Sequence, residues 1–255
     1  MSLAVLVLLA GSAVLDPGPT ARGGRTLPYW RRTGFLSDVL QQLPAGPRGI
    51  ESIRVPEGFL VEEAAGPGLV SYPMFASFDD RGRLFVCESA GKNMADDEMQ
   101  QHPEMRIRLL EDTNGDGVFD RGTVFADKIT MTMGAVWYKG ALYVGAPPDI
   151  LVLKDTDGDG VADRREVLLT GWPLHSNGTT LHGPYLGPDG WMYLTYNLGH
   201  HRVRTREGAM LEGPGGRVWR FRPDGTGRAW NGSWAAGSTT ALRSSSPRPE
   251  KPSGP

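Results

Sequence analysis

The sequence predicts an all-β protein, a partial β-propeller of about three four-stranded blades. Three observations lead there. A turn-and-strand cassette returns three times, as Gly82-Arg83-Leu84-Phe85-Val86, Gly140-Ala141-Leu142-Tyr143-Val144 and Gly190-Trp191-Met192-Tyr193-Leu194. Two Asp-rich stretches, Asp112–Asp120 and Asp155–Asp163, are near copies 43 residues apart. The 35 Gly and 20 Pro among 255 residues exceed the ordinary usage of about 7% and 5%, as a turn-rich β chain requires.

The amino end, Met1 to Ala13, is an apolar run too short to span a bilayer comfortably and is followed by small residues. It reads as a secretory signal over residues 1–21, although no Lys or Arg precedes the run; an uncleaved anchor is the alternative. Residues 22–50 read as a linker punctuated by Gly23, Gly24, Pro44 and Pro47, with a short helix around Thr33–Leu43.

Propeller texture runs from 51 to 228. Phe59–Ala64 alternates as a strand after the Pro56-Glu57-Gly58 turn. It suits the ring-closing device in which an early strand completes the last blade. Each cassette glycine then sits in a polar turn after an apolar cluster (Phe75 and Phe78, Val136 and Trp137, Tyr185 and Leu186), which makes a β-hairpin. A second hairpin follows each time. Its first strands are Ile107–Leu110, Ile150–Leu153 and Val218–Phe221, and the Asp-rich loops join the first two to Thr123–Ala126 and Glu166–Leu169. Two hairpins per unit make a four-stranded blade. A β-sandwich would not repeat one cassette at blade-length spacing.

From Asn231 to Pro255, Ser, Pro and Gly make up 13 of 25 residues, and Leu242 is the only Leu, Ile or Val. Residues 229–255 are therefore expected to be a disordered tail, because too little apolar area is available to offset ordering entropy. The change of texture after Arg228 resembles a truncated or frame-shifted reading frame.

A net charge of −2 without a basic stripe argues against nucleic acid as a partner. One cysteine, Cys87, permits no internal disulfide and no C-x-x-C-H haem site in this chain. It reads as a small buried strand residue. No P-loop, dinucleotide fingerprint or nucleophile elbow is present.

The Asp-rich loops carry a cation chemistry. Asp155, Asp157 and Asp159 alternate, Gly160 allows a sharp bend, Val161 offers a carbonyl, Asp163 stands ninth and Glu166 twelfth. That pattern wraps oxygens around Ca²⁺. The first loop has Asp112, Asn114, Asp116, Val118 and Asp120 but Thr123 at the twelfth place, so it should bind more weakly. The competing account is that Asp, Asn and Gly simply form turns. An ion here would be structural. His200 and His201 are adjacent on a strand and point oppositely, which argues against a shared metal. Arg202, Arg204 and Arg206 read as a solvated strand face.

Several of these motifs, in this order, resemble a known family. Tyr72–Val86, Leu109 through Asp127, Asp155 through Val167, and Leu181-His182-Gly183-Pro184-Tyr185-Leu186-Gly187-Pro188-Asp189-Gly190 look like the membrane-bound dehydrogenase domain family. That family is related to glucose/sorbosone dehydrogenases, six-bladed propellers that use pyrroloquinoline quinone (PQQ) and Ca²⁺. Its longer members add helical repeats and a C-x-x-C-H cytochrome module.

The resemblance implies quinone-dependent oxidation of a sugar or polyol, in the periplasm or outside the cell, with membrane association in some members. It implies His182 as the base, since the relatives carry a His shortly before a Gly-Pro-Asp-Gly-like turn. His182 stands five residues before Gly187 and His175 twelve. The relatives' His stands a few residues further from the turn than His182. With only three units here, the domain is expected to be incomplete and inactive by itself. The alternative is a non-catalytic propeller module that binds a carbohydrate or a protein.

Overall fold

The computed structural model describes residues 3–7, 49–66, 68–175, 181–197, 199–206, 208–225 and 232–233. The expected helix at 33–43 and most of the tail lie outside them. Almost every described element is a strand. The exceptions are a 3-10 turn at Gly49–Ser52 and one short helix, α1 (Asp96–Gln101). Among the described residues no helix is long and apolar enough to cross a membrane.

Three antiparallel sheets form the body. The first is β3 (Pro73–Phe78), β4 (Leu84–Glu88), β5 (Met105–Glu111) and β6 (Arg121–Ile129), paired in chain order. The second begins the same way, with β7 (Ala135–Tyr138), β8 (Ala141–Ala146), β9 (Asp149–Lys154) and β10 (Arg164–Thr170). The third is β11 (Leu181–Leu186), β12 (Met192–Tyr196), β15 (Arg217–Phe221) and β16 (Gly232–Ser233). The three cassettes thus fall in three separate sheets, as a radial arrangement requires. β16 pairs with Arg217 and Val218, so two residues of the Ser/Pro-rich segment complete the third blade.

The sheets stack through both faces. Phe85, Cys87, Ile107, Leu109 and Phe125 of the first sheet meet Leu142, Val144, Leu151 and Leu153 of the second. The alternate residues Tyr143, Ile150 and Val152 turn the other way, toward Leu181, Leu194, Trp219 and Phe221 of the third. A strand buried on both faces needs an unbroken apolar run rather than alternation, which explains Ala141–Ala146, buried at every position. Cys87 is fully buried, and burial pushes its thiol up to about 12.

The innermost strands β3, β7 and β11 run in the same sense. Trp137, near the end of β7, donates to Asp80, just past the end of β3, at 3.0 Å. Near their starts, Met74 and Met133 share one apolar cluster. The Phe75 and Tyr185 rings lie 6.0 Å apart, which brings β3 near β11 as well. Glycines permit the close approach at the starts of β7 and β11. A Cβ on Gly134 would sit 2.6 Å from the Gly183 backbone.

Two departures from a plain meander matter. The hairpin β13 (His200–Arg204) and β14 (Met210–Pro214) lies between β12 and β15 in the chain. It leaves the third sheet and pairs with β10, on the outer edge of the second, through Thr170 and Arg204. The second departure is β2 (Phe59–Glu63), which pairs in parallel with β1 (Leu3–Val7). Just after β2, the Ala64 carbonyl accepts from Phe119 N at 2.8 Å, and Phe125 on β6 accepts from Ala162 N at 2.8 Å. Phe119 and Ala162 hold the same eighth place in their Asp loops. The end of β2 therefore stands to the first loop as the outermost strand β6 stands to the second. That is where a ring-closing strand belongs.

Candidate functional site

His182 sits near the start of β11, half-buried between buried Leu181 and buried Gly183. It faces Thr195 in the β12 register, ahead of an irregularity between His182 and Tyr185. Gly183 N donates to Met133 O at 3.5 Å, tying this stretch to the segment that enters β7. The three innermost strands read PMFASF, AVWY and LHGPYL. His182 is their only imidazole, and they contain no carboxylate, Lys or Arg.

His175 lies in a different setting. Its Nδ1 is 3.6 Å from Asp96 Oδ2 at the start of α1, and its Nε2 is buried without a hydrogen-bond partner. Beside it, Leu174 joins Met94, Met99, Met105 and Met131, with Met74 and Met133 packed on the group. The sequence reading did not foresee this methionine cluster. The recurrence of Met through residues 94–105 and 131–133 was the available signal.

The Asp-rich loops have one design. Asp112 accepts from Gly115 N at 2.7 Å and Gly117 N at 2.9 Å; Asp155 accepts from Gly158 N at 2.7 Å and Gly160 N at 3.0 Å. Those amides, Gly117 first, hold the Asp112 carboxyl below its usual range. Asp116 and Asp159 each accept from the amide two residues on, Val118 and Val161, at 2.8 Å. Asn114 Nδ2 donates to Asp116 at 3.0 Å. Asp120 accepts from Thr113, and Asp163 from Thr156, which lowers the Asp163 carboxyl.

Oxygens of Asp155, Asp157 and Asp159 all lie within 4.8 Å of one another. Glu166 is not in that group. It stands on β10, exposed, with Oε1 3.6 Å from Arg206 Nη2. In the first loop Asn114 takes the place of Asp157, and among the described residues three carboxylates do not converge there.

His200 is exposed and His201 fully buried, as strand alternation requires. His201 packs edge-on to Trp219, with centroids 4.6 Å apart, and neither ring nitrogen has a partner. A small cavity under the β13–β14 hairpin is lined by Leu169, Trp172, Trp219 and Arg220, and His182 is not among its walls. Arg202 and Arg204 are exposed, in line with a solvated strand face.

One further cluster lies on the face of the first sheet turned away from the second. Glu88, with its side chain fully buried, accepts from Ser71 N at 2.7 Å, Arg106 Nε at 2.5 Å and Arg108 Nε at 3.2 Å. The alternation of Arg106 and Arg108 was its sequence signal, but nothing in the sequence shows that Glu88 stands opposite them.

A family model described as "Domain of unknown function (DUF7133)" matches residues 47–243. No curated protein matches the chain. Among solved structures, the chain is similar to a Thermus thermophilus protein described as a "putative oxidoreductase (glucose dehydrogenase)". Identity is 21% and the TM-score 0.40, covering 64% of this chain and 47% of that one. This chain thus spans about half the length of that protein.

Proposed function

The chain belongs to the family described as Domain of unknown function (DUF7133), and from that premise we infer that it is part of a dehydrogenase-like β-propeller whose His182 is the base in oxidation of a sugar or polyol. The observation that supports this reading is the place of His182. It is the sole imidazole on three innermost strands that run in one sense and otherwise carry only apolar, hydroxyl, phenol and indole groups. Oxidising a secondary or hemiacetal hydroxyl requires a base for the O–H proton while hydride leaves carbon. A half-buried imidazole between buried neighbours is suited to that proton.

PQQ, which the family resemblance implies, does not fit the three innermost strands taken by themselves. It carries several carboxylates, and β3, β7 and β11 provide no Lys or Arg to receive them. No step is therefore assigned to it. Export to the periplasm or the exterior follows from reading the amino end as a signal. The aspartate group of the second loop is read as a structural Ca²⁺ site.

The lack of Lys and Arg on these three strands favours a second reading, a non-catalytic module that binds neutral carbohydrate there. Dye-linked assay of the chain with PQQ, Ca²⁺ and a sugar and polyol panel separates the two. Turnover abolished by His182→Ala and retained by His175→Ala supports the base assignment. Saturable sugar binding without turnover, and unchanged by His182→Ala, supports the module. Turnover indifferent to His182→Ala overturns the first reading.

A further inference from the structure

We propose that Arg106 and Arg108, held side by side by buried Glu88, form a binding site for an oxyanion, a carboxylate or phosphate group of a small soluble ligand. The proposal is independent of the role given to His182.

The geometry starts from β-strand alternation. Leu84, Val86 and Glu88 face one way on β4, and their partners on β5 are Leu110, Arg108 and Arg106. This face turns from the second blade toward the 64–70 segment, where Leu84, Val86 and Leu110 pack with Ala65 and Phe119. At the end of that apolar column the pattern changes from Leu and Val to one acid and two arginines.

Glu88 divides its oxygens. Oε2 takes Arg106 Nε, while Oε1 takes Arg108 Nε and Ser71 N. Among the described residues each guanidinium is gripped at Nε and has no further hydrogen-bonded side chain at Nη1 or Nη2, the edge that matches a carboxylate or phosphate in two-pronged fashion. Among the described residues no second carboxylate lies within ion-pair reach of either arginine.

Charge balance argues the same way. Two guanidiniums on one carboxylate leave an excess of one positive charge. The Glu88 side chain is 0% exposed and Arg108 15%, while Arg106, at 39%, reaches solvent. The excess charge therefore lies where an anion from solution can reach it. Two guanidiniums held at Nε on the same carboxylate bring two positive charges to one place, more than a single Arg–Glu pair offers an oxyanion.

The backbone supports the arrangement. Tyr72 holds φ +48°, in the left-handed region. The loop is pinned on either side, by Ser71 N to Glu88 and by Ser89 N to Tyr72 O at 3.0 Å. A Cβ on Gly91 would sit 2.7 Å from Tyr72 Cδ2, so only glycine leaves room for that ring. The cluster stands where β3 begins, the same end of the ring as His182.

The test is calorimetric titration of the full chain with inorganic phosphate and, separately, with glucuronate, at low and moderate salt. Saturable binding of either probe is expected, weakening as salt rises. It should fall at least about tenfold in Arg106→Gln and in Arg108→Gln, and stay unchanged in Arg164→Gln, an exposed arginine on β10. Preference for phosphate or for glucuronate identifies the group recognised. Circular dichroism and tryptophan fluorescence establish that each variant is folded. A folded wild-type chain that binds neither probe saturably overturns the proposal. So does binding that survives in both arginine variants.

Discussion

The amide of Ala162 donates to the carbonyl of Phe125 at 2.8 Å, carrying the second Asp loop across onto the outer strand of the preceding blade. Phe119 does the same toward Ala64. Each Asp loop is thus a clasp between neighbouring units. Asp163 and Asp120 close the loop on Thr156 and Thr113, and the clasping amide comes from the residue just before that Asp. The chain needs rigid loops here whether or not an ion binds.

Ala162→Pro should therefore weaken the junction of the first two blades. It deletes the donor and leaves the Phe125 carbonyl unpaired beside a side chain that is 1% exposed. A loss of about 1–3 kcal/mol is expected. Urea unfolding measures it, and an unchanged midpoint would show that the clasp adds nothing.

Gly134→Ala tests the approach of the innermost strands. The new methyl would enter the Gly183 backbone at 2.6 Å, and backbone cannot swing aside as a side chain would. A cost of about 1–3 kcal/mol follows from overpacking. Because β11 must shift, the NMR signals of the His182 ring should move as well. Gly140→Ala, where a Cβ meets open space, should leave the His182 signals in place, even though its φ of +81° carries its own strain.

The blades were legible because their signals are local. A Gly in a tight turn, followed by alternating apolar residues, marks each hairpin without reference to anything distant. The β13–β14 hairpin was not, since pairing Thr170 with Arg204 is a long-range choice that leaves no mark on either strand. The candidate site divides the same way. Asp155, Asp157 and Asp159 lie on one short loop whose own amides fold it, so their convergence is a local matter. Glu166, read twelfth in that set, stands third on β10, paired opposite Val152, and is not in the group of three. Glu88 with its arginines, and Asp96 with His175, depend on tertiary placement.

Calcium should raise the melting temperature of the chain in a concentration-dependent way, as any ligand of the folded state does. The response should come chiefly from the second loop, where three carboxylates converge. Asp157→Ala should remove most of it, and Asp116→Ala in the first loop should remove less. Scanning calorimetry in EDTA and in millimolar Ca²⁺ reads this directly. A melting temperature that ignores calcium would reduce both loops to clasps.

Acid should loosen the β13–β14 hairpin through His201. Burial among Tyr196, Trp219 and the His200 ring, with Arg217 nearby, pushes its imidazole down to about 4. The folded chain therefore keeps His201 neutral where the unfolded chain, with an imidazole near 6.5, takes up a proton. Stability from this group is complete above about pH 6.5 and is lost as pH falls toward 4, by about 3 kcal/mol at most. His201→Leu retains apolar bulk in that place without the proton. Its urea midpoint should fall less than the wild-type midpoint between pH 7 and pH 4.5. Parallel decline in the two proteins would mean that other groups carry the acid sensitivity and that His201 is not held neutral by the rings around it.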